Sequence, residues 1–157
     1  AVIGASGVGK TVYLGMLMDM LSRQSSQLQL LARGAFSITL QQTTLAALAR
    51  CQFPEKTPNE PDRWNWVHCQ VRPPRARRPL ELIMPDMAGE SLAAEVANPK
   101  TFQVIRGLLG KSAGMLLLVD SGRAANGASD PDFFALKMLS YIDGLHGAGR
   151  QQRHAEL

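Results

Sequence analysis

At 157 residues, with 45% apolar content and 19% charge, the chain has the size and composition of one globular domain with a real core, which excludes disorder along its whole length. Its longest apolar runs, such as residues 115–119, are far too short to cross a bilayer and no charged-then-apolar leader opens it, so a cytoplasmic location is expected. The formal charge of +4 is modest, and the two cysteines and three histidines are scattered, which gives neither a disulfide framework nor a metal cluster and leaves Cys51 and Cys69 as expected buried thiols.

Residues 1–3 read as the end of a buried strand, and residues 12–23 as a helix with Leu14, Leu17, Met18 and Leu21 at helical intervals. Between them Gly4, Ala5, Ser6, Gly7, Val8, Gly9, Lys10 and Thr11 fit G-x-x-x-x-G-K-[ST] at every fixed position, a pattern that cradles phosphate. A triphosphate needs several donors at once, and a loop supplies backbone N–H groups only where side chains stay out of the way. Gly4, Gly7 and Gly9 meet that need. Lys10 is placed to reach the β and γ phosphates, the Thr11 hydroxyl to bind Mg²⁺, and the helix to add its positive dipole end.

A polar break at 24–27 and a short apolar run at 28–31 follow, and residues 37–50 repeat as a helix with Leu40, Leu45, Leu48 and Ala49 on one side. The proline-rich stretch 52–62 is an irregular exposed loop. Residues 64–71 alternate as a strand, and residues 80–84 form a second one that runs into Pro85 and Asp86. The turn between them holds Arg72, Arg75, Arg77 and Arg78 among Pro73, Pro74 and Pro79. No aromatic residues alternate with those arginines, so the turn reads as a solvated hairpin tip and nucleic acid is not an expected partner. Helices are expected over 91–98 and 99–110, the latter burying Phe102, Ile105, Leu108 and Leu109. Residues 114–120 read as a strand covered on both faces, residues 121–132 as a loop, and residues 133–145 as a helix with Phe134, Leu136, Leu139, Ile142 and Leu145 in the core. The expected fold is α/β, a three-layer sandwich of the P-loop NTPase type with a mostly parallel sheet and one antiparallel strand pair.

Asp86-Met87-Ala88-Gly89 matches D-x-x-G directly after a strand. An aspartate at a strand tip beside a phosphate loop can hold Mg²⁺ through a water, and a glycine three residues on can offer its N–H to a γ phosphate. The alternative for Asp86 is a helix N-cap. With GASGVGKT, the motif makes the chain resemble the Ras-like GTPases of the translation-factor-related class. That resemblance implies GTP and GDP as ligands, Mg²⁺ as cofactor, and a switch whose segments near Thr57 and Gly89 meet a protein effector. It also implies a threonine, in the loop before the antiparallel strand, that completes the Mg²⁺ shell and contacts the γ phosphate. Thr57 lies in such a loop, with Thr43 and Thr44 as alternatives. The long first switch, the QFPEKT loop, the tryptophan strand and the IMPDMAGE segment look most similar to bacterial double-GTPase-like domains.

Two departures bear on the chemistry. Where many family members place a glutamine after D-x-x-G to orient water, this chain has Glu90, whose charge beside a γ phosphate is unfavourable unless it is protonated or turned away. The N-K-x-D or T-K-x-D motif that reads guanine does not occur, and the sequence stops about where that strand is expected, so the chain reads as a fragment of a P-loop GTPase-like domain spanning 1–157. Two other readings stand beside hydrolysis of GTP to GDP and phosphate. One is a P-loop ATPase or small-molecule kinase with Asp120 as the metal aspartate. The other is a nucleotide-binding scaffold with little turnover.

Overall fold

The computed structural model describes residues 1–23, 28–59, 65–74, 78–127 and 129–155. The chain divides into two compact units, one of Ala1–Val8, Asn59–Asp62 and Ala88–Leu157, the other of Gly9–Pro58 and Arg63–Met87.

The Gly9–Met87 unit is built on antiparallel strands. Helix α1 (Lys10–Ser22) starts after Gly9, whose φ of 87° lies in the left-handed region open to glycine. Strand β2 (Gln29–Arg33) follows, then α2 (Gly34–Ala49), β3 (Asn65–Arg72) and β4 (Leu80–Asp86), with the sheet ordered β2-β3-β4. Register pairs Ala32 with Cys69 and Cys69 with Leu82, which puts Leu30, Val67, Cys69 and Met84 on a buried face. Helices α1 and α2 pack on that side and on each other. Leu31, Trp66 and Ile83 stay exposed on the opposite side. Ser37 is buried because its hydroxyl accepts the His68 N–H at 2.8 Å, at the end of the β2–β3 ladder. The residues of α2 that are fully covered are Ser37 and Thr44, not Leu40, Leu45, Leu48 and Ala49. The helix faces α1 at Gly15, where a Cβ would come within 2.7 Å of Thr44.

In the other unit β1 (Val2–Gly4) pairs in parallel with β5 (Leu116–Leu118). Helices α3 (Gly89–Ala97), α4 (Gln103–Lys111), α5 (Ser121–Ala125) and α6 (Ser129–Ala155) complete it. Val2, Ile3, Leu92, Ile105, Leu109 and Met138 form its core. Its centre holds Glu95, a fully buried carboxylate. Burial pushes its pKa up, but the Tyr141 hydroxyl and the Phe102 and Lys100 N–H groups all donate to it and hold it below the ordinary value. One side chain thus ties α3 to the start of α4 and to α6.

The α/β class stands, and the described strands form a two-stranded parallel sheet and a three-stranded antiparallel sheet in place of a mostly parallel sheet with one antiparallel pair. The difference comes from residues 29–33, whose apolar run is a strand beside β3. Strand β5 is short and is not fully covered, since Leu116 is 41% exposed and Leu117 and Leu118 are only half-buried. In α6 Met138 is buried, and Leu136 and Leu139 are 66% and 55% exposed. The expected loop at 121–132 contains α5 and the start of α6. Cys69 is buried, which pushes its thiol up to about 11, whereas Cys51 is exposed just after α2. The tip of the arginine-rich turn, with Arg75 and Arg77, lies outside the described residues.

Candidate functional site

Three oxygen-bearing side chains from distant parts of the sequence converge in the Gly9–Met87 unit. Thr11 stands in the first turn of α1, Thr57 in the loop before β3, and Asp86 at the end of β4. The two threonine hydroxyls lie 2.9 Å apart. Thr11 Oγ1 donates to Asp86 Oδ1 at 3.2 Å and Thr57 Oγ1 donates to Asp86 Oδ2 at 3.1 Å.

Two hydroxyl protons serve these three short contacts, so with Asp86 ionised one pair of oxygens meets without a hydrogen between them. Asp86 is only 5% exposed. Burial raises its pKa, against the hydrogen bonds from Thr57 and Thr11 and the charge of Lys10, which all lower it. Lys10 is itself buried, in the first position of α1. With Asp86 ionised, these hard oxygens are of the type that could hold a cation.

Neither other threonine takes part. The Thr43 hydroxyl bonds back to the Thr39 and Leu40 carbonyls of its own helix, and Thr44 lies against Gly15 with its hydroxyl buried and unpartnered. Asp120, the alternative metal aspartate, accepts the Arg123 N–H at 3.0 Å and caps α5. Among the described residues, no group of three His, Cys, Asp or Glu side chains gathers at one place.

The other unit brings the first part of the glycine-rich loop against the start of α3. Gly7 has a φ of 77°, a conformation that side chains resist. Gly89 has room for hydrogen alone, because a Cβ there would fall 2.3 Å from the Ser6 nitrogen and 2.4 Å from the Ala5 carbonyl carbon. One residue on, Glu90 Oε1 accepts the Ser6 hydroxyl at 2.7 Å. Asp86 is not the N-cap of α3; Ala88 holds that position without a side-chain bond.

Sequence reasoning passed over Glu95 and Tyr141. The available signal was spacing, since Glu95 stands three residues after Leu92 and so falls on the buried side of α3. Ser91, which donates to Asn59 at 2.6 Å, carried no such signal.

Among the described residues no helix is long and apolar enough to cross a membrane. No curated protein and no solved structure matches the chain. The model of one protein family, described as Double-GTPase 1, matches residues 1–153, and the chain belongs to that family.

Proposed function

We propose that the protein is a GTP-binding switch that hydrolyses GTP to GDP and phosphate with Mg²⁺. The observation that carries this reading is the meeting of Thr11, Thr57 and Asp86. Magnesium–oxygen bonds of about 2.1 Å at right angles put neighbouring ligand oxygens about 3 Å apart, and the two threonine oxygens are separated by 2.9 Å. Membership of the family supports the guanine nucleotide.

In this reading Thr11, Thr57 and Asp86 would hold Mg²⁺, whose positive charge would offset charge on the phosphate oxygens. The amides of residues 4–9 bind phosphate, and Lys10 neutralises charge on the β and γ groups. Water attacks the γ phosphorus, the bond to the β–γ bridging oxygen breaks, and the products are GDP and inorganic phosphate. Gly89 would offer its N–H to the γ phosphate, so loss of that group would free the segment behind it, and the stretches near Thr57 and Gly89 are the switch segments that a protein effector would read. Glu90 stands where many Ras-like GTPases place a water-orienting glutamine.

Single-turnover release of phosphate from GTP tests this. Expected is a rate above that of free nucleotide that needs Mg²⁺ and falls at least about a hundredfold in Lys10→Ala, the scale on which loss of one transition-state charge contact acts. Tight GTP binding with a rate no faster than free nucleotide would replace the hydrolase with a nucleotide-binding scaffold.

A further inference from the structure

The amino end of α3 sits directly on the phosphate loop. Ser6 holds the Glu90 carboxylate at 2.7 Å, and Gly89 leaves no space for even a methyl group over the Ala5–Ser6 peptide. An oxyanion is larger than a methyl group, so none fits between Gly89 and that peptide. The Glu90 carboxylate is also tied to the Ser6 side chain, within the loop that the motif offers to phosphate.

We propose that Ser6 and Glu90 form a latch that sets the site's preference between nucleoside diphosphate and triphosphate. The proposal rests on the nucleotide reading and adds to it a pair of specificity-determining side chains. Loop amides of this motif cradle the α and β phosphates, whereas a third phosphate is met by the lysine and by the segment after the second motif. A Cβ at Gly7 would meet nothing within 4 Å, so that part of the loop is open to a diphosphate while the latch stays closed. A triphosphate must break the Ser6–Glu90 bond and lift Gly89, and it must do so against the repulsion between its terminal charge and the carboxylate. The released Ser6 hydroxyl becomes a donor for a phosphate oxygen, which offsets part of the lost bond.

Opening the latch is thus a cost specific to the third phosphate. Removing the carboxylate removes both the bond and the repulsion. Removing the hydroxyl removes the bond and leaves the carboxylate in place.

The test is the ratio of dissociation constants for GDP and for β,γ-imido-GTP, measured with Mg²⁺ on the full-length protein by calorimetry. Glu90→Ala is expected to move the ratio toward the triphosphate by about tenfold, the factor that corresponds to ~1.4 kcal/mol of relieved cost. Ser6→Ala is expected to move it in the same direction by less, and Ser6→Thr, which keeps the hydroxyl, to restore it. The double variant should show no more than Glu90→Ala alone, because the two side chains act through one contact. Unfolding midpoints of the free variants verify that the folded state is kept. A ratio unchanged in Glu90→Ala overturns the latch, as do effects of the two single variants that simply add. Tight binding of both nucleotides with such a result leaves the nucleotide reading standing, whereas binding of neither by the wild type overturns that reading and the latch with it.

Discussion

Asp86 combines two demands that oppose each other in the free protein. Burial disfavours its charge, and the Thr57 and Thr11 hydroxyls, with Lys10, favour it, with burial the larger influence. The folded-state pKa therefore lies above the ordinary carboxylate value of 3.8. A group with this shift binds its proton more tightly folded than unfolded, so its contribution to stability declines as pH rises from 3.8 through the folded value and stays low at neutral pH. Asp86→Asn removes that penalty, and its amide nitrogen brings donors to a cluster with one proton too few. The variant is expected to be more stable than wild type at pH 7 without ligand, with the advantage shrinking toward pH 3.8, and to lose Mg²⁺-dependent nucleotide binding. Urea titrations across that pH range with a parallel binding assay would expose the reverse: a variant less stable at neutral pH, or one that still needs Mg²⁺. The residue types of this cluster were legible in the sequence, since Thr11 and Asp86 sit in motifs whose spacing follows from a phosphate ligand. Thr57 was legible only as one of three threonines. A helical hydroxyl such as that of Thr43 can turn back on its own carbonyls, and which threonine escapes that fate depends on chain folding rather than on composition.

At the scale of elements, the crossing of α1 and α2 shows why a polar residue can mark the centre of a buried face. Gly15 lets the helices approach until a Cβ would stand 2.7 Å from three side-chain atoms of Thr44, and that closeness leaves the Thr44 hydroxyl buried without a partner. An apolar-periodicity argument places Leu40, Leu45 and Leu48 there because it weighs hydrophobicity alone, whereas close approach selects small side chains. Gly15→Ala should gain about 1 kcal/mol of helix propensity and lose more to overpacking, for a net destabilisation of about 1–2 kcal/mol. Thr44→Val keeps the shape and deletes the orphaned hydroxyl, so it should be neutral or stabilise by up to about 1 kcal/mol. Chemical denaturation of both variants measures the pair, and a stabilised Gly15→Ala would contradict the packing described. The same limit explains α6. Apolar residues occur on more than one side of it, and only packing against other elements, α3, α4 and α5 among them, decides that Met138 is buried while Leu136 and Leu139 are exposed. By contrast β3, β4 and α1 were legible, because alternation in the strands and a glycine-bounded start in the helix leave few competing readings.

For the whole molecule, the class of fold was legible and the sheet arrangement was not, since apolar runs announce strands but carry no sign of direction or partner. Residues 28–31 look alike whether they end a helix connection or begin β2, and only the pairing of Leu30 with Val71 decides it. Ligand binding reports on the molecule at this same scale, because a ligand held by the folded state alone stabilises it by RT ln(1 + [L]/Kd), about 2.7 kcal/mol at a hundred times Kd. For a chain of this length each kilocalorie moves the unfolding midpoint by roughly 2–4 °C, so saturating GTP with Mg²⁺ should raise it by roughly 5–10 °C. The net charge of +4 and isoelectric point near 9.4 make tripolyphosphate at raised ionic strength the necessary control, since screening weakens unspecific attraction to a basic surface more than it weakens a seated ligand. Metal chelation should remove most of the shift through Thr11, Thr57 and Asp86. ATP separates base recognition from phosphate recognition: a guanine-reading protein gives a shift with GTP that ATP at the same concentration does not approach. Equal shifts from GTP, ATP and tripolyphosphate would mean that the phosphate chain is all the molecule reads, and the switch proposed here would lose its guanine specificity.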